Sequence, residues 1–326
     1  MHILVTGGAG YIGATTASAL LDRGHRVTVV DDLSTGHLDA VPEGARFEQA
    51  DITDPTGVRP IVAEGAFDAC VHFAALIEAG ESMQAPERFF TTNTAGSARL
   101  LEVLLAHGVE RFVLSSTAAV YGEPEHTPIR EDAPLVPTNA YGESKLLVER
   151  MLAWHHRVHG LRYAALRYFN AAGATSGRGE RHDPETHLIP LVLQVAEGRR
   201  DHIAIFGTDY PTPDGTAVRD YVHVADLADA HVRAVERLDD HGTLTCNLGN
   251  GVGFSVREVI ASARRVTGHP IPAEEAARRP GDPAVLVASS DRARDLLGWT
   301  PRRAELDDMV GDAWAYLTST APEGTA

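Results

Sequence analysis

The sequence contains little cysteine and no long apolar run. Only two of its 326 residues are cysteines, Cys70 and Cys246, which is too few for a disulfide framework or a cysteine-based metal site. No segment reaches the roughly 18 consecutive apolar residues that a membrane-spanning helix needs. The amino terminus passes from an apolar segment directly into glycines, unlike a secretory signal. We therefore expect a cytoplasmic protein with no membrane segment and no bound metal ion.

Positive charge is also scarce. The chain has 29 Lys and Arg residues against 45 Asp and Glu residues, which gives a formal net charge of −16 with neutral histidine. Such a surface repels phosphate backbones and anionic lipids, so the composition disfavours a nucleic-acid partner and a membrane-surface role. The hydrophobic fraction of 44% and the charged fraction of 23% are typical of globular proteins. A chain of this length is expected to form about two domains.

Apolar segments alternate with helical segments through the first half of the chain. This alternation predicts an α/β fold with a doubly wound parallel sheet. The predicted strands are 3–6, 26–31, 46–49, 69–73, 111–115 and 163–168. The predicted helices are 11–23, 56–64, 86–107 and 141–158. Gly24, Gly108 and Gly160 follow three of these helices, as expected where a helix ends.

The segment ILVTGGAGYIG combines a predicted strand, a glycine-rich turn and the start of a predicted helix. Gly7, Gly10 and Gly13 have the spacing that lets a backbone approach a pyrophosphate, which amides at the helix start can bind. Asp31 ends the next predicted strand, 18 positions after Gly13. A carboxylate there accepts hydrogen bonds from an adenosine ribose and repels a 2′-phosphate. The residue after Asp31 is Asp32, and no arginine is nearby to bind that phosphate. The motif therefore predicts a Rossmann-type sheet that binds NAD rather than NADP.

The second half of the chain alternates less regularly and has loops rich in glycine, proline, aspartate and threonine. This pattern predicts a smaller mixed α/β domain. Its loops are expected to close over the carboxyl ends of the strands and to bind a substrate. Segments 218–230 and 243–251 are predicted to form a strand, a helix and a strand that return to the first domain. We therefore predict an NAD-binding domain of residues 1–173 plus about 217–250, and a substrate domain of about 174–216 plus 251–326.

Tyr141 and Lys145 lie four positions apart on a predicted helix, so their side chains share one face. A cation near a phenol lowers its pKa, which suits a tyrosine that acts as a general base. Ser115, Ser116 and Thr117 end a predicted strand, at the edge where open α/β sheets bind ligands. A hydroxyl at this edge can bridge the phenol and a substrate oxygen. The pattern predicts a catalytic site.

Five segments extend the pattern over most of the chain: GGAGYIG, SSTAAVYG, YGESK, LRYFNAAGA and TAVRDYVHVADLADA. Together they resemble the extended short-chain dehydrogenase/reductase family, and within it the nucleotide-sugar 4-epimerases. The resemblance implies an isomerase that uses NAD to invert carbon 4 of a UDP-hexose, UDP-glucose or UDP-galactose, through a transient 4-keto intermediate. It also implies a homodimer.

The resemblance assigns roles to individual residues. It implies a catalytic group of Thr117, Tyr141 and Lys145. It implies contacts to NAD by Gly7, Gly10, Tyr11, Ile12, Gly13, Asp31, Asp32, Asp51, Ile52, Phe73, Ala74, Ala75, Asn93, Tyr141, Lys145 and Tyr168. It implies contacts to the UDP-sugar by Thr117, Asn170, His187, Leu188, Phe206, Arg219, Arg279 and Asp282.

Three positions differ from the family pattern. His187 stands where asparagine is common, which is expected to alter a contact near the sugar or the diphosphate. Ile77 and Glu78 occupy a stretch where a lysine is often found, so one contact to a cofactor phosphate is expected to be missing. Leu286 lies near a position whose size is thought to govern acceptance of N-acetylated sugars, and it leaves that acceptance open.

Three other functions stay open. The first is 4-epimerisation of another nucleotide sugar, such as UDP-GlcNAc or UDP-GalNAc, UDP-glucuronate or a pentose derivative. A nucleotide-sugar 4,6-dehydratase is disfavoured because its added acid–base pair follows the catalytic threonine, where this chain has Ala118 and Ala119. A non-catalytic NAD(P)-sensing regulator is disfavoured because it needs neither the catalytic group nor the arginines Arg219 and Arg279.

Overall fold

Helices cover both faces of a central sheet. The computed structural model describes residues 1–279 and 282–320; Pro280, Gly281 and residues 321–326, which fall in the predicted substrate domain, lie outside the described residues. The strands are β1 (His2–Thr6), β2 (Arg26–Asp31), β3 (Arg46–Gln49), β4 (Ala69–His72), β5 (Arg111–Thr117), β6 (Arg162–Tyr168), β7 (Asn170–Ala172), β8 (Ile203–Phe206), β9 (Val218–His223), β10 (Thr243–Leu248), β11 (Gly253–Ser255), β12 (Ala273–Ala276) and β13 (Val285–Leu286). The helices are α1 (Tyr11–Asp22), α2 (Pro55–Gly65), α3 (Ala79–Ser82), α4 (Pro86–Phe89), α5 (Ser97–Ala106), α6 (Ala140–His159), α7 (Leu188–Ala196), α8 (Val224–His241), α9 (Val256–Thr267), α10 (Asp291–Leu297) and α11 (Leu306–Thr320).

Within the described ranges, no helix is both long enough and apolar enough to cross a membrane.

The central sheet has seven strands in the order β10-β6-β5-β4-β1-β2-β3, and every neighbouring pair is parallel. This order confirms the predicted doubly wound parallel sheet. Ile3 and Val5 on β1 pack in one core with α1 and α8, whereas Leu4 between them packs in a second core with α5. Alternate residues of one apolar strand therefore support two helix layers, as in sheets that are covered on both faces.

The predicted elements of the first half are present, with strand ends within two residues of those predicted. The helix predicted over 86–107 differs, because a π-helical turn over Phe90–Gly96 separates α4 from α5. Such turns widen a helix by one residue and are frequent at functional sites. The apolar periodicity of the segment gave no sign of the turn.

The smaller part of the molecule is built around β9. That strand pairs with β7, β11 and β13, and β8 pairs with β12 in a separate two-stranded sheet. The helices α7, α9 and α11 surround a third apolar core that includes Ile189, Val259 and Val310. After β9 the chain returns to the large sheet through α8 and β10. The numbered division into two domains stays a prediction.

Candidate functional site

The turn between β1 and α1 is made of backbone in close contact with neighbouring backbone. Gly7 has a φ of +68°, and a Cβ there would lie 2.4 Å from the Ala74 nitrogen. A Cβ at Gly13 would lie 2.1 Å from the Gly7 oxygen, so neither position accepts a side chain without a backbone shift. Gly10 precedes α1 and gives it no side-chain cap. The amides at the start of α1 are therefore suited to bind an anion such as a pyrophosphate.

Asp31 at the end of β2 holds the glycine-rich turn and the following loop together. Its Oδ2 accepts a hydrogen bond from the Ala9 nitrogen and its Oδ1 accepts one from the Leu33 nitrogen, both at 2.9 Å. Burial raises the pKa of this carboxyl, although the two backbone hydrogen bonds lower it. Each carboxylate oxygen keeps a second lone pair. The side chain is therefore placed and oriented to accept further hydrogen bonds from a ribose.

A cleft of about 330 Å³ lies at the carboxyl edge of the sheet, within the size range of ligand pockets. The predicted catalytic group lines it, together with most of the predicted cofactor residues and two of the predicted substrate residues. They are Gly7, Gly10, Tyr11, Ile12, Gly13, Asp31, Asp32, Asp51, Ile52, Phe73, Ala74, Ala75, Thr117, Tyr141, Lys145, Tyr168, Asn170 and His187.

Asn93 has a different position from the other predicted cofactor residues. It lies on the π-helical turn, is buried, and is not among the described residues that line the cleft. Its Oδ1 accepts a hydrogen bond from the Leu76 nitrogen at 2.8 Å, and its Nδ2 donates to the Leu76 oxygen at 2.9 Å. Nδ2 also donates to the Ser144 hydroxyl at 3.0 Å. The structure thus places Asn93 behind the cleft wall, where it joins the Leu76 loop to α6.

The start of α6 brings Tyr141 to the end of β5. Asn139 caps the helix by accepting a hydrogen bond from the Gly142 nitrogen at 2.8 Å. A Cβ at Gly142 would lie 2.6 Å from the Ala119 oxygen, so this close packing requires glycine. The Thr117 hydroxyl interacts with the phenol of Tyr141 and lowers the pKa of that phenol. Phenol and hydroxyl therefore face the same part of the cleft.

Lys145 lies one turn along α6 from Tyr141. Its ammonium donates a hydrogen bond to the Ser115 backbone oxygen at 3.0 Å. Burial lowers the pKa of Lys145 from its ordinary value of 10.5 to about 8, because a charged ammonium is costly away from water. The group therefore changes charge close to neutral pH.

The expectation that the pKa of Tyr141 is lowered is wrong. Burial raises the pKa of Tyr141 to about 12; the Thr117 hydrogen bond lowers it and the Glu78 carboxylate raises it further. Desolvation is the largest influence on this phenol, and the spacing of Tyr141 and Lys145 in the sequence contains no information about burial.

A buried polar network that the sequence analysis did not identify connects β5, β6 and α6. Ser116 donates a hydrogen bond to Glu149 Oε1 at 2.5 Å. Arg167 on β6 donates to both oxygens of Glu149, at 3.0 and 2.6 Å. This pair fixes α6 against the residue next to Thr117, so it supports the geometry of the catalytic group. In the sequence, Glu149 lies four residues after Lys145 and so shares its helix face. That spacing was the signal that could have identified the network.

Four of the predicted substrate residues form a second group outside the described cleft lining. The Arg279 guanidinium carbon lies 4.1 Å from the centroid of the Phe206 ring. Arg219 donates a hydrogen bond to Asp282. Two guanidinium groups and an aromatic ring provide the donors and the flat surface that a diphosphate and a nucleobase need. The roles of these residues stay predictions.

Strand pairing connects this second group to the cleft. Asn170 lines the cleft and pairs in register with Tyr221 on β9, two positions after Arg219. Leu286, one of the positions that differ from the family pattern, pairs in register with Arg219. Leu188, predicted to contact the sugar, begins α7 and packs at the edge of the third apolar core.

Comparisons with known proteins agree with this geometry. Residues 3–249 match the model of the NAD dependent epimerase/dehydratase family. A UDP-glucose 4-epimerase from Streptomyces lividans is 54% identical over 97% of this chain and 96% of its own length, and one from Corynebacterium glutamicum is 50% identical over 98% and 96%. The structure of UDP-glucose 4-epimerase from Brucella ovis in complex with NAD has a TM-score of 0.94 and 43% identity, covering 97% of this chain and 98% of that one. The chain therefore belongs to the NAD-dependent epimerase/dehydratase family.

Proposed function

We propose that this protein is an isomerase that interconverts UDP-glucose and UDP-galactose, with NAD as its cofactor, through a 4-keto intermediate. The observation that carries the proposal is that Tyr141 and Thr117 line the same cleft as the glycine-rich turn and Asp31. Full-length similarity to proteins named UDP-glucose 4-epimerase supports it.

The residues of the cleft fit NAD. The glycine positions that would clash with a Cβ leave backbone alone beside the start of α1, which suits the pyrophosphate. Asp31 is oriented toward a ribose, and its negative charge disfavours the 2′-phosphate of NADP. Lys145 lies where its ammonium can hold the second ribose. When bound, NAD would supply an acceptor for the hydride that leaves carbon 4 of the sugar. Once reduced, it would supply the hydride that returns to that carbon.

The protein's own part in the reaction is proton transfer and positioning. Tyr141 takes the proton of the sugar 4-hydroxyl as carbon 4 is oxidised, and returns it when the opposite face of the 4-keto sugar is reduced. Thr117 holds the 4-hydroxyl in line with the phenol. Because burial raises the Tyr141 pKa to about 12, the interaction with the Thr117 hydroxyl, which lowers that pKa, is needed to stabilise the phenolate.

Rotation of the 4-keto sugar requires that the nucleotide stays bound. We assign this anchoring to Arg219 and Arg279 for the diphosphate and to Phe206 for the uracil. The Phe206 ring carries Arg279 over one face, so the base would stack on the other. Ala118 and Ala119 form the short turn after Thr117, and their methyl groups cannot transfer the protons that a 4,6-dehydratase needs.

A direct assay tests the proposal. The purified protein is incubated with UDP-galactose without added NAD, and the nucleotide sugars are separated by chromatography. We expect UDP-glucose to form until the two sugars reach a constant ratio. Parallel incubations with UDP-GlcNAc, UDP-glucuronate, a UDP-pentose and a dTDP-sugar test the alternatives. Rapid turnover of one of these with no interconversion of glucose and galactose would move the assignment to that substrate.

Asp31→Asn is expected to weaken NAD binding by about 10- to 100-fold, because hydrogen bonds to a charged group contribute roughly 1.5–3 kcal/mol. It is also expected to reduce the discrimination against NADP, because the negative charge is removed. Equilibrium titration of cofactor-free protein with NAD and NADP measures both effects. Asp32→Asn is the comparison variant: the effect there is expected to be smaller, because among the described residues the Asp32 side chain accepts hydrogen bonds only from the exposed Ser34. Equal losses in the two variants would contradict the role given to Asp31.

We also infer that the protein is a cytoplasmic homodimer. The outer part of α6 leaves large apolar side chains exposed: Trp154 is 62% exposed and Val158 is 66% exposed. Exposed apolar residues one turn apart on a helix are typical of a surface that a second subunit covers. The molar mass measured by light scattering distinguishes a dimer from a monomer of 34.9 kDa.

A further inference from the structure

A second cluster of ionisable side chains lies in the loop between β7 and α7, beside the cleft but outside the catalytic group. It consists of two glutamates and two histidines, and we call it the His–Glu cluster. Its members are Glu180, His182, Glu185 and His187. One ligand atom from each side chain lies within 4.8 Å of the corresponding atom of every other. Of these four residues, only His187 was expected to contact a ligand, the UDP-sugar, and no metal site was predicted.

The side chains of the cluster converge on a common point. His187 Nδ1 lies 2.8 Å from Glu180 Oε1 and 2.9 Å from Glu185 Oε1. His182 Nδ1 lies 3.0 Å from the same oxygen of Glu180. Hydrogen bonds pair His182 Nδ1 with Glu180 and His187 Nδ1 with Glu185. The approach of His187 Nδ1 to Glu180 lies outside these pairs, whereas a cation between the atoms would contact all four side chains at once.

The charge of the cluster also calls for a cation. The side chains of Glu180 and Glu185 are only 9% and 6% exposed. In the part of the chain that the structure describes, the salt bridges of both carboxylates are to histidines and to no Lys or Arg. Arg181, which lies between the ligands in sequence, pairs with Asp39 instead. Two nearly buried carboxylates so close together need positive charge beside them, which a protonated histidine supplies in part and a bound divalent cation supplies in full.

We propose that the His–Glu cluster binds one divalent transition-metal ion of the Zn²⁺ class. Imidazole nitrogen combined with carboxylate oxygen suits such ions, whereas Mg²⁺ and Ca²⁺ prefer oxygen ligands alone. Bonds of about 2.0–2.2 Å in a tetrahedron hold the ligand atoms roughly 3.3–3.6 Å apart. The separations in the cluster, from 2.8 Å to at most 4.8 Å, lie around that range, so small side-chain movements complete the site.

The site is structural rather than catalytic. Four protein ligands fill a tetrahedron and leave no open position for a substrate, as in structural zinc sites. Glu185 Oε1 accepts hydrogen bonds from the Thr186 and His187 nitrogens at 2.7 Å, which fix the orientation of the carboxylate. Glu180, His182 and His187 line the cleft. The metal ion therefore fixes this loop as a wall of the cleft, directly before α7 begins at Leu188.

Metal content tests the proposal independently of turnover. The full chain is purified without a metal-binding tag, dialysed, and analysed by elemental mass spectrometry. We expect about one transition-metal ion per chain, most often Zn²⁺. After removal of the metal with a chelator, titration with Co²⁺ is expected to give the intense visible absorption of a tetrahedral site, saturating at one equivalent. Glu180→Gln and His182→Asn are expected to weaken binding by at least about tenfold.

His202→Asn is the matched control, because His202 is an exposed histidine that pairs with a single carboxylate, Glu274, at 3.4 Å. It is expected to keep the full metal content. Absence of bound metal together with no Co²⁺ absorption in the unaltered chain would overturn the proposal. Equal metal content in Glu180→Gln, His182→Asn and the unaltered chain would also overturn it, because the ion would then be adventitious. The Co²⁺ titration of the unaltered chain decides the matter even where a variant does not fold.

Discussion

Replacing Tyr141 with Phe is expected to lower kcat on the order of 10²–10⁴-fold, the contribution typical of a positioned general acid–base. The variant keeps the aromatic ring at the start of α6 and removes only the phenol oxygen, whose pKa the Thr117 hydroxyl lowers. Because the same oxygen takes and returns the proton, both directions of the reaction are expected to slow equally. The interconversion of UDP-glucose and UDP-galactose measures kcat, and cofactor content after gel filtration measures NAD binding, which is expected to remain.

Tyr163→Phe is the control for this change. Tyr163 lies on β6 outside the described lining of the cleft, and burial raises its pKa as burial raises that of Tyr141. Loss of a half-buried phenol there is expected to leave kcat within a factor of about two, because surface or peripheral changes have small effects. If Tyr141→Phe kept near-normal turnover, the proton-transfer role would pass to another group and the proposed mechanism would have to be abandoned.

The hydrophobic pattern of the sequence predicted most of the large sheet, because each strand is marked by its own short run of apolar residues. β1 and β4 are short apolar runs, as buried parallel strands require, and the glycines after β1 mark the turn. The π-helical turn at Asn93 has no such local signal. It depends on hydrogen bonds between Asn93 and Leu76, a residue 17 positions away, and single-sequence periodicity contains no information about that partner.

In the candidate site too, some features could be predicted from the sequence and others could not. Tyr141 and Lys145 are recognisable because a spacing of four is fixed by the helix itself. The direction of the Tyr141 pKa shift was not predictable, because it depends on how much surrounding structure excludes water from the phenol. The His–Glu cluster was missed because its members lie in an irregular loop, where a spacing of two or three residues implies no common face.

Lys145→Met is expected to lower turnover on the order of 10²-fold and, at the same time, to stabilise the cofactor-free protein by roughly 1–3 kcal/mol. The activity falls because the ammonium that we assign to the second ribose is removed. The stability rises because burial lowers the pKa of Lys145 from 10.5 to about 8, which means that the folded state disfavours the charge. Methionine fills similar volume without a charge, although the hydrogen bond to the Ser115 oxygen is lost.

The gain in stability is expected to depend on pH in a defined direction. Between pH 8 and 10.5 the unfolded chain binds more protons at Lys145 than the folded chain does, so the stability of the unaltered protein rises with pH in this window. The advantage of Lys145→Met is therefore full below pH 8 and disappears toward pH 10.5. Urea unfolding of cofactor-free protein at several pH values measures it, since bound NAD would add its own stabilisation.

The composition of the chain makes the underlying pKa directly measurable. Lys145 is the only lysine in the sequence, and the other 28 basic residues counted with it are arginines. A protein labelled with isotopic lysine therefore gives a single side-chain NMR signal, whose titration is expected to have a midpoint near pH 8. Arginine stays charged at every accessible pH and cannot take this role. A midpoint at or above the ordinary value would show that the ammonium is well solvated, and both the stability gain and its pH window would then be absent.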